Sequence, residues 1–187
     1  MKQEENVNFL TKIAGIFERL ELPYLVTGGM AVSVWGRPRS TADVDVVIEL
    51  ESAGISGLLE ALKELSEAGY IDEDVVREAV RGGGEFNFID GATGMKIDFW
   101  VLGKGAFDAS QLKRRVGKNV FGQKIYFLSP EDLILSKLTW YRKSRSTRHL
   151  EDIESILKIS GSELDMKYLK EWASTLGVSE ELGKLLG

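Results

Sequence analysis

The sequence has no cysteine, a single histidine and only three prolines among its 187 residues. Without cysteine the chain cannot form a disulfide framework, a zinc finger or a thiol nucleophile. Because His149 is the sole imidazole, a metal site built from His and Cys ligands is excluded as well. Any bound metal would need oxygen ligands, which are the ligands that Mg²⁺ and other hard cations prefer.

Long apolar runs are also missing. No stretch approaches the roughly 18–20 apolar residues that a membrane-spanning helix needs, and residues 1–5 do not resemble a signal peptide. We therefore expect no membrane partner and a cytoplasmic location. The length favours one domain, or one domain with a helical appendage.

Charge is distributed unevenly along the chain. The formal net charge is −5, but residues 1–100 carry 9 basic and 18 acidic residues, whereas residues 111–148 carry 10 basic and 2 acidic ones. This segregation is typical of acidic catalytic residues that face a basic strip able to hold phosphates. Chance clustering on exposed helix faces explains the counts equally well.

The hydrophobic pattern predicts an α+β fold: a small mixed β-sheet with packed helices, followed by a C-terminal helical segment. Strands are predicted at residues 24–27, 43–48, 85–90, 95–102 and 124–128. Helices are predicted before Pro23, from residue 55 to near Gly69, and at residues 30–35, 72–80, 130–143, 149–159, 162–175 and 179–186. This organisation predicts an α/β core over residues 1–128 and a helical segment over residues 129–187 that packs on it.

Three aspartates are candidates for chemistry. Asp43 and Asp45 lie two residues apart on a predicted strand, so both carboxylates project from one face. A cation between them would relieve their repulsion, although an isolated Asp-x-Asp is more often the solvated face of a strand. Asp98 lies on another predicted strand between apolar neighbours. If the two strands are adjacent, three carboxylates share one face and could hold metal ions, with one acting as a base.

Two further segments flank the Asp-x-Asp pair. Gly28 and Gly29 follow a strand and precede a short helix, which lets backbone N–H groups approach a phosphate, although most Gly-Gly pairs are plain turns. Arg39 and Thr41 alternate with the two aspartates, so an extended chain would place all four on one side. Arg39 would then bind a phosphate or hold the carboxylates, and an ordinary charged loop is an equally good interpretation.

Together, Gly28-Gly29, the run Arg39–Asp45 and the strand Lys96–Phe99 resemble the nucleotidyltransferase (DNA polymerase β-like) superfamily. That superfamily combines a Gly-Gly or Gly-Ser helix start with an Asp-x-Asp strand and a third carboxylate on another strand. The stretches Ser129–Leu138 and Arg145–Ile153 resemble its small prokaryotic branch, which includes abortive-infection toxin-type and aminoglycoside-type enzymes. The resemblance covers about residues 24–157.

The resemblance implies roles for the individual residues. Asp43, Asp45 and Asp98 would be both the catalytic residues and the ligands of Mg²⁺, or of Mn²⁺ in its place. The two glycines would approach the β- and γ-phosphates of a nucleoside triphosphate. Lys137 matches a lysine that such enzymes direct at the triphosphate. We expect Arg39, Thr41 and Tyr141 among the nucleotide contacts, Tyr141 by stacking on the base, although a place in the core suits Tyr141 as well.

A basic stretch follows Lys137. Arg142, Lys143, Arg145 and Arg148 could bind a triphosphate tail, a phosphorylated acceptor or RNA, and plain solvation of a helix explains them equally well. The predicted function is metal-dependent transfer of a nucleoside monophosphate from a nucleoside triphosphate to a hydroxyl, with release of pyrophosphate. The acceptor would be a small molecule, a protein side chain or an RNA end.

Two alternatives remain open from the sequence. One is a non-catalytic nucleotide- or RNA-binding module of the same fold, such as one half of a toxin–antitoxin pair with a partner protein. The other is a structural protein whose carboxylates merely solvate one sheet edge.

Overall fold

In the computed structural model, the backbone of residues 2–187 is described, together with the side chains of residue 5 and residues 7–187. The six strands are β1 (Tyr24–Val26), β2 (Asp43–Ile48), β3 (Glu85–Ile89), β4 (Lys96–Val101), β5 (Val116–Val120) and β6 (Gln123–Phe127). The helices are α1 (Lys2–Arg19), α2 (Gly28–Trp35), α3 (Ile55–Leu65), α4 (Glu73–Gly82), α5 (Ala106–Arg114), α6 (Pro130–Ser144), α7 (Thr147–Ser160), α8 (Met166–Leu176) and α9 (Ser179–Leu186). No helix in this part of the chain is long and apolar enough to cross a membrane.

The chain divides into two compact units. The first unit comprises Met1–Met30 and Ser40–Phe127 and contains the whole sheet. The second comprises Ala31–Arg39 and Leu128–Gly187, and it contains α6 to α9. The segment 31–39 therefore groups with the helical unit, whereas the sequence-based boundary at residue 128 assigned it to the core.

The sheet of the first unit is mixed, with the strand order β3-β4-β2-β1-β6-β5. β2 runs parallel to β4 and antiparallel to β1. The strand residues alternate in burial, so one face is apolar and the other polar. On the apolar face the ring of Phe99 stacks on Phe86 at 4.7 Å and meets Phe17 of α1 edge-on at 6.1 Å. This core fixes which side chains of β2 and β4 point to the opposite face.

Segment 31–39, which comprises the end of α2 and the irregular residues after it, has its own contacts within the second unit. The Trp35 indole N–H donates a hydrogen bond to the Leu128 carbonyl at 2.8 Å, and the Ser160 hydroxyl donates to the Trp35 carbonyl at 2.6 Å. Helix α6 begins as predicted, because the Ser129 hydroxyl accepts from the Asp132 N–H and Pro130 occupies the first turn. Its buried face includes Leu133, Ile134 and Leu138.

The α+β fold class is confirmed, with two elements missed. No strand was predicted at β5 and no helix at α5. β5 has the sequence Val-Gly-Lys-Asn-Val, and it is a strand because β6 pairs with it across the Phe121–Gly122 turn. Helix α5 buries little beyond Gln111, so its hydrophobic periodicity is weak. The helix predicted over 162–175 begins later, at Met166, where the Asp165 side chain caps it.

Candidate active site

The three predicted carboxylates lie on the polar face of the sheet. In the parallel pairing of β2 and β4, Asp45 is directly opposite Asp98, and Asp43 is directly opposite Lys96. Neighbouring strands are about 4.8 Å apart and alternate residues share a face, so these four side chains form a two-by-two grid. All four are partly buried. The register of β2 and β4 thus places the three carboxylates on one face of two neighbouring strands, an adjacency that the sequence left open.

Lys96 is the member of this grid that the sequence did not single out as functional. Its ammonium lies 2.8 Å from the Asp98 Oδ2 atom, in a pair whose side chains are 35% and 22% exposed. The hydrogen bond to Asp98 raises the pKa of Lys96, burial works in the opposite direction, and the charges of Asp98, Asp43 and Asp45 raise it. The alternation that selects Asp98 also places Lys96 on the same face, so this signal was present in the sequence.

The start of helix α2 lies against Asp45. The Thr27 N–H donates to the Asp45 carbonyl at 2.9 Å, which ties the turn after β1 to β2. Gly28 has a positive φ of 60°, and a Cβ at this position would overlap the carboxylate of Asp45. Glycine is therefore required there both by the backbone conformation and by the approach of Asp45. The helix N-terminus, with its positive partial charge, begins beside the carboxylate grid.

Thr41 precedes β2 and contacts its first residue. The Thr41 hydroxyl donates to the Asp43 carbonyl at 3.1 Å, and residues 37–42 are irregular rather than extended strand. The strict alternation predicted for Arg39, Thr41, Asp43 and Asp45 therefore holds only within β2. Gly29, the second glycine of the pair, is in the first turn of α2.

Arg39 and Lys137 meet at one carboxylate in the second unit. The Arg39 Nε and Nη2 atoms donate to the two Asp152 oxygens at 2.8 and 3.0 Å. The Lys137 Nζ atom donates to Asp152 Oδ2 at 2.7 Å. Lys137 is 6% exposed and Asp152 is 4% exposed. We call these three residues the Arg39–Lys137–Asp152 triad; it carries a formal charge of +1.

The contacts within the triad lower the pKa of Asp152. Burial alone would raise the pKa of Asp152, but the hydrogen bonds from Arg39 and Lys137 and their positive charges lower it below its usual value. Asp152 is therefore ionised at neutral pH although it is buried. Sequence reasoning missed this residue as a partner of Arg39, because the two are 113 positions apart.

His149 lies near the triad. Its Nδ1 atom is buried without a hydrogen-bond partner. Burial lowers the pKa of the imidazole, and the positive charge of Lys137 lowers it further, whereas Asp152 acts in the opposite direction. The imidazole is therefore neutral at pH 7.

The remaining basic residues have structural contacts. The Arg142 guanidinium donates to the carbonyls of Leu176 and Gly177 at the end of α8. The Arg145 guanidinium lies 5.8 Å from the ring centroid of Tyr141, the residue predicted to stack on a base. Two side chains of the basic stretch thus have partners within the protein: Arg142 at the end of α8 and Arg145 at the ring of Tyr141.

The second unit also contains an open pocket of about 560 Å³. Its walls carry both signs of charge, with Arg37 and Lys158 on one hand and Glu151 and Glu154 on the other. The volume falls within the range of sites for small molecules. The mixed charge indicates a polar rather than an apolar occupant.

The donor set of the grid suits a hard cation, since it consists of carboxylate oxygens. Among the residues with described side chains, however, no group of three or more acidic or histidine side chains is gathered closely enough to hold a metal ion. Lys96 rather than a third carboxylate contacts Asp98. Carboxylates are the ligand type that Mg²⁺ prefers, but in this arrangement the described side chains are not grouped to hold an ion.

No protein-family model matches the sequence, and no curated protein matches it. Several solved structures have a similar fold. ANT(2″)-Ia in complex with adenylyl-2″-tobramycin is 16% identical, with a TM-score of 0.61 over 92% of this chain and 97% of its own. An antigenic nucleotidyltransferase-like protein from Paracoccidioides brasiliensis is 19% identical, with a TM-score of 0.57 over 100% and 94%. The lincomycin-bound lincosamide antibiotic adenylyltransferase LnuA is 14% identical, with a TM-score of 0.54 over 83% and 97%.

These similarities concern the fold, since the identities are low. They cover most of each chain and agree with the resemblance carried by the Gly-Gly, Asp-x-Asp and third-carboxylate motifs. The chain therefore shares its fold with these solved structures, which include a nucleotidyltransferase-like protein and a lincosamide adenylyltransferase.

Proposed function

We propose that the protein transfers a nucleoside monophosphate from a nucleoside triphosphate to a hydroxyl group. The observation that carries the proposal is the register of β2 and β4, which sets Asp45 beside Asp98 with Asp43 on the same face. The glycine turn at Gly28 supports it, because it brings a helix N-terminus to the carboxylate of Asp45.

The proposed reaction gives the side chains and backbone N–H groups of this site the following roles. The acceptor oxygen attacks the α-phosphorus, a new P–O bond forms, and the bond to the bridging oxygen breaks so that pyrophosphate leaves. Asp98 takes the proton of the acceptor hydroxyl. The N–H groups of Gly28 and Gly29 hold the β- and γ-phosphates at the start of α2.

Asp43, Asp45 and Asp98 would hold Mg²⁺, or Mn²⁺ in its place. Bound there, the ion would supply positive charge to offset the negative charge of the phosphates. The protein contributes the fixed placement of the carboxylates, which the parallel strands hold in register. The further nucleotide contacts that we propose are Arg39, Thr41, Lys137 and Tyr141. Arg39 and Lys137 belong to the triad, whose net positive charge favours phosphate.

A small polar molecule is the acceptor that we propose. The structural neighbours include one with adenylyl-2″-tobramycin bound and one with lincomycin bound. The polar pocket of the second unit has the volume of a small-molecule site. A protein side chain or an RNA end would be the acceptor if small molecules fail in the test below.

One observation favours a second candidate function. Lys96 neutralises part of the charge of Asp98, and the described side chains form no ready-made cluster of three metal ligands. A non-catalytic nucleotide- or RNA-binding module, including one that acts with a partner protein as in a toxin–antitoxin pair, would keep such an arrangement. Such a module binds a nucleoside triphosphate without releasing pyrophosphate.

Incubation with each of the four α-³²P-labelled nucleoside triphosphates tests the proposal. The reaction contains Mg²⁺ and, in turn, a panel of polyhydroxylated small molecules, a protein extract or total RNA. We expect label in the small-molecule fraction and an equal amount of pyrophosphate. Binding of the nucleotide with no labelled product in any fraction would identify the non-catalytic module instead.

Replacing Gly28 by alanine tests the geometry of the turn. The added Cβ overlaps the Asp45 carboxylate and the positive φ is strained, so we expect the transfer rate to fall about 100-fold through misplacement of Asp45. Gly82→Ala is the matched control, because a Cβ there meets nothing within 4 Å, and it should keep full activity. Full activity of Gly28→Ala would show that Asp45 need not hold this position.

A further inference from the structure

One continuous part of the first unit is strongly basic. Residues 109–130 contain five basic residues and no acidic one, although the whole chain has a net charge of −5. They comprise the second half of α5 and the hairpin formed by β5 and β6. Lys113, Lys118 and Lys124 are exposed. Arg115 differs from them, because it lines a small pocket together with two glutamates at and just after the end of α1.

The tip of this hairpin carries an exposed aromatic ring. Phe121 is 73% exposed and has a positive φ of 49°, and Gly122 beside it has a φ of 84°. Positive φ at both central residues is typical of a type I′ turn, which favours Asn and Gly and strains a bulky residue. The Gly122 N–H donates to Asn119 Oδ1 at 3.0 Å, which holds the turn without any contribution from the ring. The fold therefore does not require an aromatic side chain at this position.

The exposed lysines lie on both faces of the hairpin. In the antiparallel register Lys118 is opposite Ile125 and Lys124 is opposite Asn119, so the two lysines project from opposite faces. The Lys124 ammonium lies 4.9 Å from the centroid of the Tyr126 ring, which is on the same face. Lys113, in the last turn of α5, adds positive charge at the base of the hairpin. We call Lys113, Lys118, Lys124 and Phe121 the hairpin surface.

We propose that the hairpin surface binds single-stranded nucleic acid, with phosphates on the lysines and one base on the ring of Phe121. Cations that follow a phosphate backbone beside an exposed aromatic ring are the combination by which proteins bind single strands. One ring offers too little apolar area to anchor the protein on a membrane, and an acidic peptide would make no use of the ring. The proposal does not rest on the proposed function, because β1 separates β6 from β2 and its carboxylates in the sheet.

Fluorescence anisotropy with labelled oligo(U) and oligo(dT) of about 20 nucleotides, and with a duplex of the same length, tests this proposal at about 50 and about 200 mM salt. We expect wild type to bind both single strands more tightly than the duplex. Lys118→Ala with Lys124→Ala should weaken binding about tenfold at the lower salt concentration. It should also reduce the slope of log affinity against log salt by about 1.4, because each phosphate contact to a single strand contributes about 0.7.

Phe121→Gly separates binding from folding. Glycine suits the positive φ of the turn, so the unfolding temperature should stay the same or rise. Affinity for the single strands should nevertheless fall about tenfold, because the stacked base loses its ring. Tyr70→Ala is the matched control, since it removes a ring that is 58% exposed elsewhere in the first unit, and it should bind like wild type.

A second control tests whether net charge alone explains binding. Lys63→Ala with Lys170→Ala removes the same charge from exposed positions on α3 and α8, and it should leave the affinity within about twofold of wild type. An equal loss in this pair and in the hairpin pair overturns the proposal. Polyglutamate that displaces the oligonucleotide at equal concentration of charge also overturns it and identifies an acidic peptide as the occupant.

Two further results would contradict the proposal. Wild type that binds neither single strand at the lower salt concentration overturns it outright. Equal affinity of Phe121→Gly and wild type, or a duplex bound as tightly as the single strands, overturns the contact between Phe121 and a base. These measurements do not involve the transfer reaction, so their failure leaves the proposed function standing. Conversely, loss of transfer in the aspartate variants would leave the hairpin surface unaffected.

Discussion

Asp43→Asn combined with Asp45→Asn is expected to lower the rate of nucleotide transfer at least about 1,000-fold. The two side chains supply two of the three carboxylates of the grid, and Asp45 lies beside Asp98 in the parallel register. Their replacement by amides keeps the shape and removes the charge that would hold a divalent cation. The measurement is the initial rate of pyrophosphate release at saturating nucleotide and Mg²⁺.

Stability distinguishes this loss from unfolding. Because like charges in the grid repel, removing two of them should leave the unfolding temperature unchanged or higher. The matched control is Glu60→Gln with Glu67→Gln, which removes two exposed carboxylates elsewhere in the first unit and should leave the rate unchanged. A double aspartate variant that keeps more than a tenth of the wild-type rate would contradict the assignment of the site.

Asp152→Asn should destabilise the protein by about 3–5 kcal/mol at pH 7. The substitution leaves the Lys137 ammonium, which is 6% exposed, without the carboxylate that neutralises it and Arg39. A buried charge without its partner has a high free energy, whereas the intact triad need not be strongly stabilising. Chemical denaturation of both proteins, fitted with one shared dependence of the unfolding free energy on denaturant concentration, measures the difference in stability.

The difference in unfolding free energy that comes from the Asp152 charge should become smaller at low pH. The pKa of Asp152 is lower in the folded protein than in the unfolded chain. The stabilising contribution of Asp152 is therefore complete above the unfolded pKa of about 3.9, and it is lost as the pH falls through the lower folded pKa. The part of the gap between wild type and Asp152→Asn that comes from ionisation of Asp152 should be constant from pH 7 to about 5 and should diminish below about pH 4. The lower pKa of His149 in the variant should widen the gap as the pH falls below about 6.5.

Two controls accompany the Asp152 measurement. Glu151→Gln, an exposed neighbour on the same helix, should change the free energy of unfolding by less than about 0.5 kcal/mol. Lys137→Met added to Asp152→Asn should recover part of the loss, because it removes the buried ammonium whose carboxylate partner has been replaced. Since His149 is the sole histidine, its proton NMR signal gives a local readout: its pKa should fall when the Asp152 charge is removed. An Asp152→Asn protein as stable as wild type would contradict the triad.

The local patterns of the sequence predicted most of the elements near the site. The β-branched run of residues 43–48 predicted β2 with its ends correct, and Ser129-Pro130 predicted the start of α6. These features depend on residues close in sequence, where side-chain alternation and helix capping act. The weakly patterned elements α5 and β5 were missed, since β5 exists through its pairing with β6.

The contacts of Arg39 and Lys137 illustrate what local patterns could not provide. Both were predicted to contact a nucleotide, and that remains a prediction. The structure shows that both donate hydrogen bonds to Asp152, from positions 113 and 15 residues away. Such a convergence depends on the packing of α6 and α7 with segment 31–39 inside the second unit. No periodicity within any one of these segments contains that information.

By itself, the sequence determined the chemical character of the candidate site. The lack of cysteine and the single histidine restrict any metal to oxygen ligands, and strand alternation sets Asp43 and Asp45 on one face. Only the tertiary structure decided that β2 and β4 are parallel neighbours, with Asp45 beside Asp98 and Lys96 beside Asp43. Strand order and register are fixed by hydrogen bonds and by burial of an apolar face between segments distant in sequence, so they emerge only when the whole sheet forms.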